Sequence, residues 1–308
     1  MPSPYLEQLK NCRRIGLFDS GVGGLTVLDK LIRLSSSEPA NGSISPSQLQ
    51  EFVYLADTAR CPYGNRPSSD IETFIVEIMN WLVAKNVDGI VVACNTSASV
   101  ALEATRHLCP VPIFDLIVPT AQYVASLGRR VGVMATTATV RAQAFAKAIH
   151  AVDPEIEVVE IACPDLVPVI ERGEIRTDST LALLKKYAQT LSKEKVEVLI
   201  WGCTHFPFLS EPFETLLERK LILVDPAQVL VGHSELREIE VGQPEFKHAV
   251  YVTGDPFEFA RTASICLGYS LDTVNGITTE ELIGAAANAK AQPKKAESTD
   301  NIQIAPAV

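Results

Sequence analysis

The sequence predicts an α/β fold in which two successive sets of alternating strands and helices build mainly parallel, doubly wound sheets. Three observations predict it. Short apolar runs such as Val91-Val92 and Val198-Leu199-Ile200 recur along the chain, stretches with apolar residues at helical spacing separate them, and the order strand, loop, helix holds in both halves. In folds of this kind, ligands bind at the carboxyl ends of the strands.

The elements follow in order. Arg14-Ile15-Gly16-Leu17-Phe18 reads as a buried strand running into the loop Asp19-Ser20-Gly21-Val22-Gly23-Gly24 and a helix with Leu25, Leu28, Leu31 and Ile32 on one face. Residues Ser35 to Gln50 are polar and rich in Ser, Pro and Gly, an exposed connection. Phe52-Val53-Tyr54-Leu55 is the next strand, and Ile71, Phe74, Ile75, Ile78 and Leu82 line a helix. Val91-Val92-Ala93 then delivers Cys94 to a helix start, and Val111-Pro112-Ile113-Phe114 ends near Asp115. A second set begins with the strand Arg130 to Met134, a small-residue loop to Thr139 and a helix from Val140 to His150. The strand Ile156 to Ile161 and a helix marked by Leu181, Leu184, Ala188 and Leu191 precede the strand ending at Gly202-Cys203. Leu221 to Val224 and Ala249 to Val252 add strands, Asp255-Pro256 opens a helix as N-cap and N1 proline, and Gly268 stops it. Beyond Leu271 the composition turns to Ala, Lys, Pro, Gln and Ser, and residues 271–308 read as a mobile tail.

Composition narrows the function classes. The 308 residues suffice for one large or two medium domains with adequate cores. A net charge of −10 argues against nucleic acid or an anionic membrane as the main partner. No apolar run reaches the ~18 residues of a membrane span, and residues 1–14 lack a secretory apolar region, so a cytoplasmic protein is expected. The seven cysteines are an odd number without any C-x-x-C pair, which favours free thiols over disulfides or a metal site.

Two of those thiols carry the argument. Cys94 and Cys203 each end an apolar strand and precede hydroxyl or amide side chains at a turn into a helical pattern. A helix N-terminus favours thiolate, so a pKa below the usual ~8.5 is expected for Cys94. One such thiol is most simply a buried apolar residue. Two in the same setting suit a carbon acid that loses its proton on one face and regains one on the other, since that chemistry needs two equivalent acid/base groups. Asp19, at a strand end, is either an orienting carboxylate or an N-cap. The glycines after it let backbone N–H groups approach an anion, although the loop has neither P-loop nor dinucleotide spacing. His205, two residues after Cys203, can stabilise its thiolate or relay a proton, and Glu171 lies in a segment able to reach it. Tyr63, Gly64, Asn95 and Thr96 offer donors for a carboxylate.

Taken together, Phe18 to Val27, Ala56-Asp57-Thr58 with Pro62-Tyr63-Gly64, Ala93-Cys94-Asn95-Thr96, Cys163-Pro164 with Pro168 to Gly173, and Gly202 to Pro207 closely resemble the glutamate racemase family, in order from about Ile15 to Leu267. The resemblance implies a cofactor-independent isomerase interconverting L- and D-glutamate and supplying D-glutamate for peptidoglycan. It implies two pseudosymmetric domains with the active site in the cleft between them: residues 1–117 plus 226–270, and residues 118–225. On that likeness Cys94 deprotonates D-glutamate and Cys203 deprotonates L-glutamate, with Asp19 assisting Cys94 and His205 with Glu171 assisting Cys203. Asp19, Ser20, Tyr63, Gly64, Asn95, Thr96, Thr204 and His205 would contact the substrate, with Asp57 and Thr136 as further candidates. No metal is implied, and a homodimer is expected. Ala135, where the family leads one to expect glycine, and Ala142, where it leads one to expect serine, depart from the pattern without touching the thiols. A sister racemase or decarboxylase, a non-catalytic anion-binding protein and thiol redox chemistry are the competing readings.

Overall fold

The computed structural model describes residues 4–9, 11–36, 51–232, 248–271 and 273–289. Most of the 35–50 connection and everything after residue 289 lie outside the described residues.

Among the described residues, ten strands form two sheets, and every pairing is parallel. The first sheet holds β1 (Arg14–Asp19), β2 (Glu51–Ala56), β3 (Gly89–Val92), β4 (Ile113–Asp115), β9 (Ala249–Val252) and β10 (Val274–Gly276) in the order β10-β9-β2-β1-β3-β4. The second holds β5 (Arg130–Ala135), β6 (Glu157–Ala162), β7 (Val198–Trp201) and β8 (Ile222–Val224) in the order β6-β5-β7-β8. The order β2-β1-β3-β4 thus recurs as β6-β5-β7-β8. Registers match as well: Phe18 pairs with Val92 and Asp19 with Ala56, while Met134 pairs with Trp201 and Ala135 with Ala162.

Parallel strands covered on both faces read as continuous apolar runs because each side chain, whichever way it points, is buried. Leu17, Tyr54 and Val91 point into an apolar cluster that continues to Leu199 and Trp201 of the second sheet. Their alternates Phe18, Val53 and Val92 pack with Ile75, Ile78 and Leu82 of the helix Ser68–Ala84. On the second sheet's other face, Val131, Val133 and Ile200 meet Phe145 and Ile149.

Two expectations are corrected. The helix predicted over Val140 to His150 is broken into Thr137–Ala142 and Ala144–Val152, because Gln143 takes a left-handed conformation at φ 54°. The chain past Leu271 is not all tail: β10 adds an edge strand beside β9, and the helix Thr279–Ala289 buries Leu282 against the first sheet's outer cluster. With Leu282 buried and the neighbouring Ile283 exposed, the helix gives too weak a periodicity to detect in the sequence.

Candidate active site

Strand ends from both sheets converge on one pocket of about 450 Å³, mouth included. Of the residues predicted from sequence, Asp19, Ser20, Tyr63, Gly64, Cys94, Asn95, Thr96, Thr136, Cys203, Thr204 and His205 line it. Glu171 and Asp57 stand behind the lining. The lining also includes Cys163 and Val167, which sequence reasoning did not single out as site residues. The signal for Cys163 was structural: it follows β6 by one residue, as Asp57 follows β2, so the two occupy equivalent places in the repeated sheet order.

The thiols are equivalent in the same sense. Cys94 lies two residues beyond β3 and Cys203 two beyond β7, the strands that neighbour the central β1 and β5. Both are free and buried. Cys94 is the extended N-cap of the helix Asn95–Val100, but this short helix does not produce the lowered pKa expected from the sequence. Burial, reinforced by the negative charge of Asp19, pushes the Cys94 thiol up to about 12, with hydrogen bonds from Ser97 opposing. Removing a thiolate from water costs more than a two-turn helix end returns.

The partners of the two thiols differ. Cys203 Sγ lies 3.7 Å from His205 Nδ1, and His205 Nε2 donates to Glu171 Oε1 at 2.6 Å. Burial disfavours the imidazolium, yet the hydrogen bonds to Cys203 and Glu171 outweigh it and hold the His205 pKa well above its usual value. On the Cys94 side, Asp19 is fully buried. Its Oδ1 accepts the Gly21 N–H at 2.9 Å and its Oδ2 accepts the Thr204 hydroxyl at 2.9 Å. Burial raises the Asp19 pKa, with the nearby His205 charge and these two donors opposing.

The glycine-rich loop does bind an anion, but one supplied by the chain itself. Val22 N–H donates to Glu171 Oε1 at 2.9 Å, so one carboxylate oxygen serves both the loop and His205. The glycines make this approach possible by leaving room. A Cβ on Gly21 would lie 1.8 Å from Glu171 Oε1, and one on Gly23 would lie 2.2 Å from His205 Nδ1. Tyr54 Oη, from β2, donates to the Gly21 carbonyl at 2.7 Å and steadies the loop.

Apart from Asp19 and His205, the lining is neutral. Among the described residues, no Lys or Arg lines the pocket. Asn95 is 2% exposed, and neither its amide nitrogen nor its oxygen has a protein partner, so it is poised for a carboxylate or ammonium. The hydroxyls of Thr96 and Thr136 join across the sheets at 2.9 Å, and Thr136 also caps the helix Thr137–Ala142. Tyr63 lines the pocket, but its hydroxyl is engaged by buried Asp57, to which it donates. Among the described residues, no group of three or more His, Cys, Asp and Glu side chains is arranged to hold a metal ion.

The profile of the Asp/Glu/Hydantoin racemase family matches residues 34–233. The chain is 37% identical over 268 residues to a glutamate racemase of Gloeothece citriformis, covering 85% of this chain and 92% of that protein. It is 38% identical over 261 residues to one of Microcystis aeruginosa, covering 83% and 88%. Among solved structures, the glutamate racemase of Francisella tularensis in complex with D-glutamate superposes with a TM-score of 0.73 at 28% identity, over 88% of this chain and 99% of that one. That of Thermus thermophilus in complex with β-chloro-D-alanine gives 0.70 at 34% identity, over 87% and 98%. An aspartate racemase of Picrophilus torridus, at 18% identity and a TM-score of 0.52 over 74% and 94%, shares the fold alone.

Proposed function

The chain belongs to the Asp/Glu/hydantoin racemase family, and from that footing we propose that it interconverts L- and D-glutamate by two-base proton transfer at the α-carbon. The observation that carries the reading is the pair of buried thiols, Cys94 and Cys203, at equivalent strand ends of the two sheets on one pocket. Cys94 takes the α-proton of D-glutamate and Cys203 that of L-glutamate, the opposite thiol returning a proton to the other face. The thiols need not be ionised in the empty pocket. Entry of the substrate ammonium beside Cys94 and Asp19 brings a positive charge that favours thiolate, and the two thiols then differ by one proton as the reaction requires.

Asp19 assists Cys94, and His205, held by Glu171, assists Cys203. Asn95, Thr96, Thr136 and Thr204 hold the substrate carboxylates with neutral donors, together with Ser20, Tyr63 and Gly64. Neutral donors stabilise charge spreading into the α-carboxylate without a group that would compete for the proton. Asp57 acts behind the pocket wall. The reaction draws on no cofactor. Sheet membership favours a first domain of residues 1–117 and 226–270, which β10 and the helix Thr279–Ala289 extend, and a second of 118–225. The enzyme is a cytoplasmic homodimer feeding peptidoglycan synthesis.

Incubating each enantiomer in deuterated water with wild type, Cys94→Ala and Cys203→Ala tests the reading. Wild type should form the opposite enantiomer carrying α-deuterium. Each variant should lose racemisation by about 10³-fold or more, while still exchanging the α-proton of the enantiomer whose own base remains. Full racemisation in either variant, or product without deuterium, rules out the mechanism. Faster turnover of aspartate than glutamate would assign a sister activity.

A further inference from the structure

We propose that Thr253 is a positioning residue for this reaction, its hydroxyl fixing the Asp57 carboxylate and, through it, the Tyr63-Gly64 wall of the substrate pocket. The inference rests on the racemase reading and extends it to a residue far from the thiols in sequence. Thr253 follows β9, and its N–H continues the sheet ladder by donating to the Ala56 carbonyl at 3.1 Å. Its hydroxyl then does two things: it accepts the Ala59 N–H at 3.0 Å and donates to Asp57 Oδ1 at 2.8 Å. The next residue repeats the attachment, Gly254 N–H donating to Thr58 Oγ1 at 2.9 Å. The returning chain therefore clasps the loop after β2 at successive residues.

Asp57 is fully buried and does not line the pocket, so it cannot touch substrate. Its Oδ2 accepts from Arg60 Nε at 2.6 Å and from the Tyr63 hydroxyl. Arg60 is itself held by Glu77 and lies over the Phe74 ring, 4.0 Å from its centroid, and the same ring packs against Tyr63. A carboxylate with three donors in a dry site has its place fixed by all of them. Removing the Thr253 donor frees Oδ1 and unpairs the Ala59 N–H, so the carboxylate moves and Tyr63 moves with it. The displacement has nowhere to dissipate. Gly64 is packed so closely on the second sheet that a Cβ there would sit 3.0 Å from Thr136 Cβ.

The wall holds substrate in ground state and transition state alike, so its loss should appear in KM more than in kcat. Both constants are measured for glutamate with wild type, Thr253→Val, Thr253→Ser, Tyr63→Phe and the double variant Thr253→Val/Tyr63→Phe. Thr253→Val is expected to raise KM by roughly 10-fold with kcat within about threefold, and Thr253→Ser to restore wild-type values. The double variant should be no worse than the poorer single, since both cut one chain of contacts. Unchanged KM in Thr253→Val, loss confined to kcat, or additive effects in the double variant would overturn the role. Should Thr253→Val not fold, Asp57→Asn must show the same KM-selective loss, and its absence overturns the role equally. Lack of wild-type racemisation in the same assay would instead overturn the glutamate reading, so the two failures are distinct.

Discussion

The Thr204 hydroxyl donates to the Asp19 carboxylate at 2.9 Å, so the residue beside one thiol holds the acid proposed to assist the other. The reverse contact is also made: Glu171, which holds His205 for Cys203, accepts the Val22 N–H of the loop that begins at Asp19. The two halves of the site are therefore not independent, and each acid/base pair is completed by a group from the opposite sheet's loops.

Thr204→Val should disable both directions together. It removes one of the donors that counter the burial-raised pKa of Asp19. A hydrogen bond to a charged group in such a site is worth roughly 10- to 100-fold in rate. Because enantiomers are equal in free energy, kcat/KM must fall by the same factor from L- and from D-glutamate. Coupled progress curves from both enantiomers measure this, and a loss below about threefold would remove Thr204 from the chain of support.

Glu171→Gln should weaken the imidazolium of His205. The folded His205 pKa is raised above an unfolded value near ~6.5, so its stabilising contribution is complete below about pH 6.5 and is lost as pH rises through the folded pKa. The variant gives up part of that contribution. Melting temperatures of wild type and variant should differ most near about pH 6 and converge at alkaline pH, and the alkaline limb of kcat/KM should move to lower pH in the variant. A gap that widens with rising pH would contradict the assignment.

Gly23→Ala should force the cleft apart without unfolding either sheet. Its new methyl would stand 2.2 Å from His205 Nδ1 and 2.7 Å from Thr204 Oγ1, and Gly23 is not in a left-handed conformation, so the penalty is space alone. Overpacking of this kind costs about 1–3 kcal/mol. Displacing His205 from Cys203 should cost about 10²-fold in activity. Denaturant unfolding and racemisation assays together separate the modest first effect from the larger second one.

Cys94 should alkylate slowly in the absence of substrate. With its pKa pushed up to about 12 by burial, little thiolate exists at pH 8, so iodoacetamide should react roughly 10³-fold more slowly than with a free thiol of pKa ~8.5. Site-resolved mass spectrometry over time reads this directly. Rapid modification of Cys94 in the ligand-free protein would mean that its thiolate is already formed.

Much of the fold was legible because a parallel sheet covered on both faces demands uninterrupted apolar strands, and Ile15 to Phe18, Val91-Val92 and Val198 to Ile200 supply them. The thiols were legible for a related reason. Cys94 and Cys203 break such runs at the strand end where a parallel sheet exposes its loops to ligand. The helix at 279–289 was not legible, since among its described side chains Leu282 alone is buried. Nor was the kink at Gln143, where backbone conformation rather than side-chain character ends one helix and starts the next.

By itself, the sequence determined the alternation of strands and helices, the two thiols and the list of polar residues beside them, because these are local properties of short segments. Only the tertiary structure decided what those residues do to one another. Burial reversed the expected direction of the Cys94 pKa, the glycine loop proved to grip Glu171, and Asp57 proved to stand behind Tyr63 with Thr253 at its back. Each of these depends on desolvation or on a contact between residues far apart in the chain, and neither is written in the spacing of a motif.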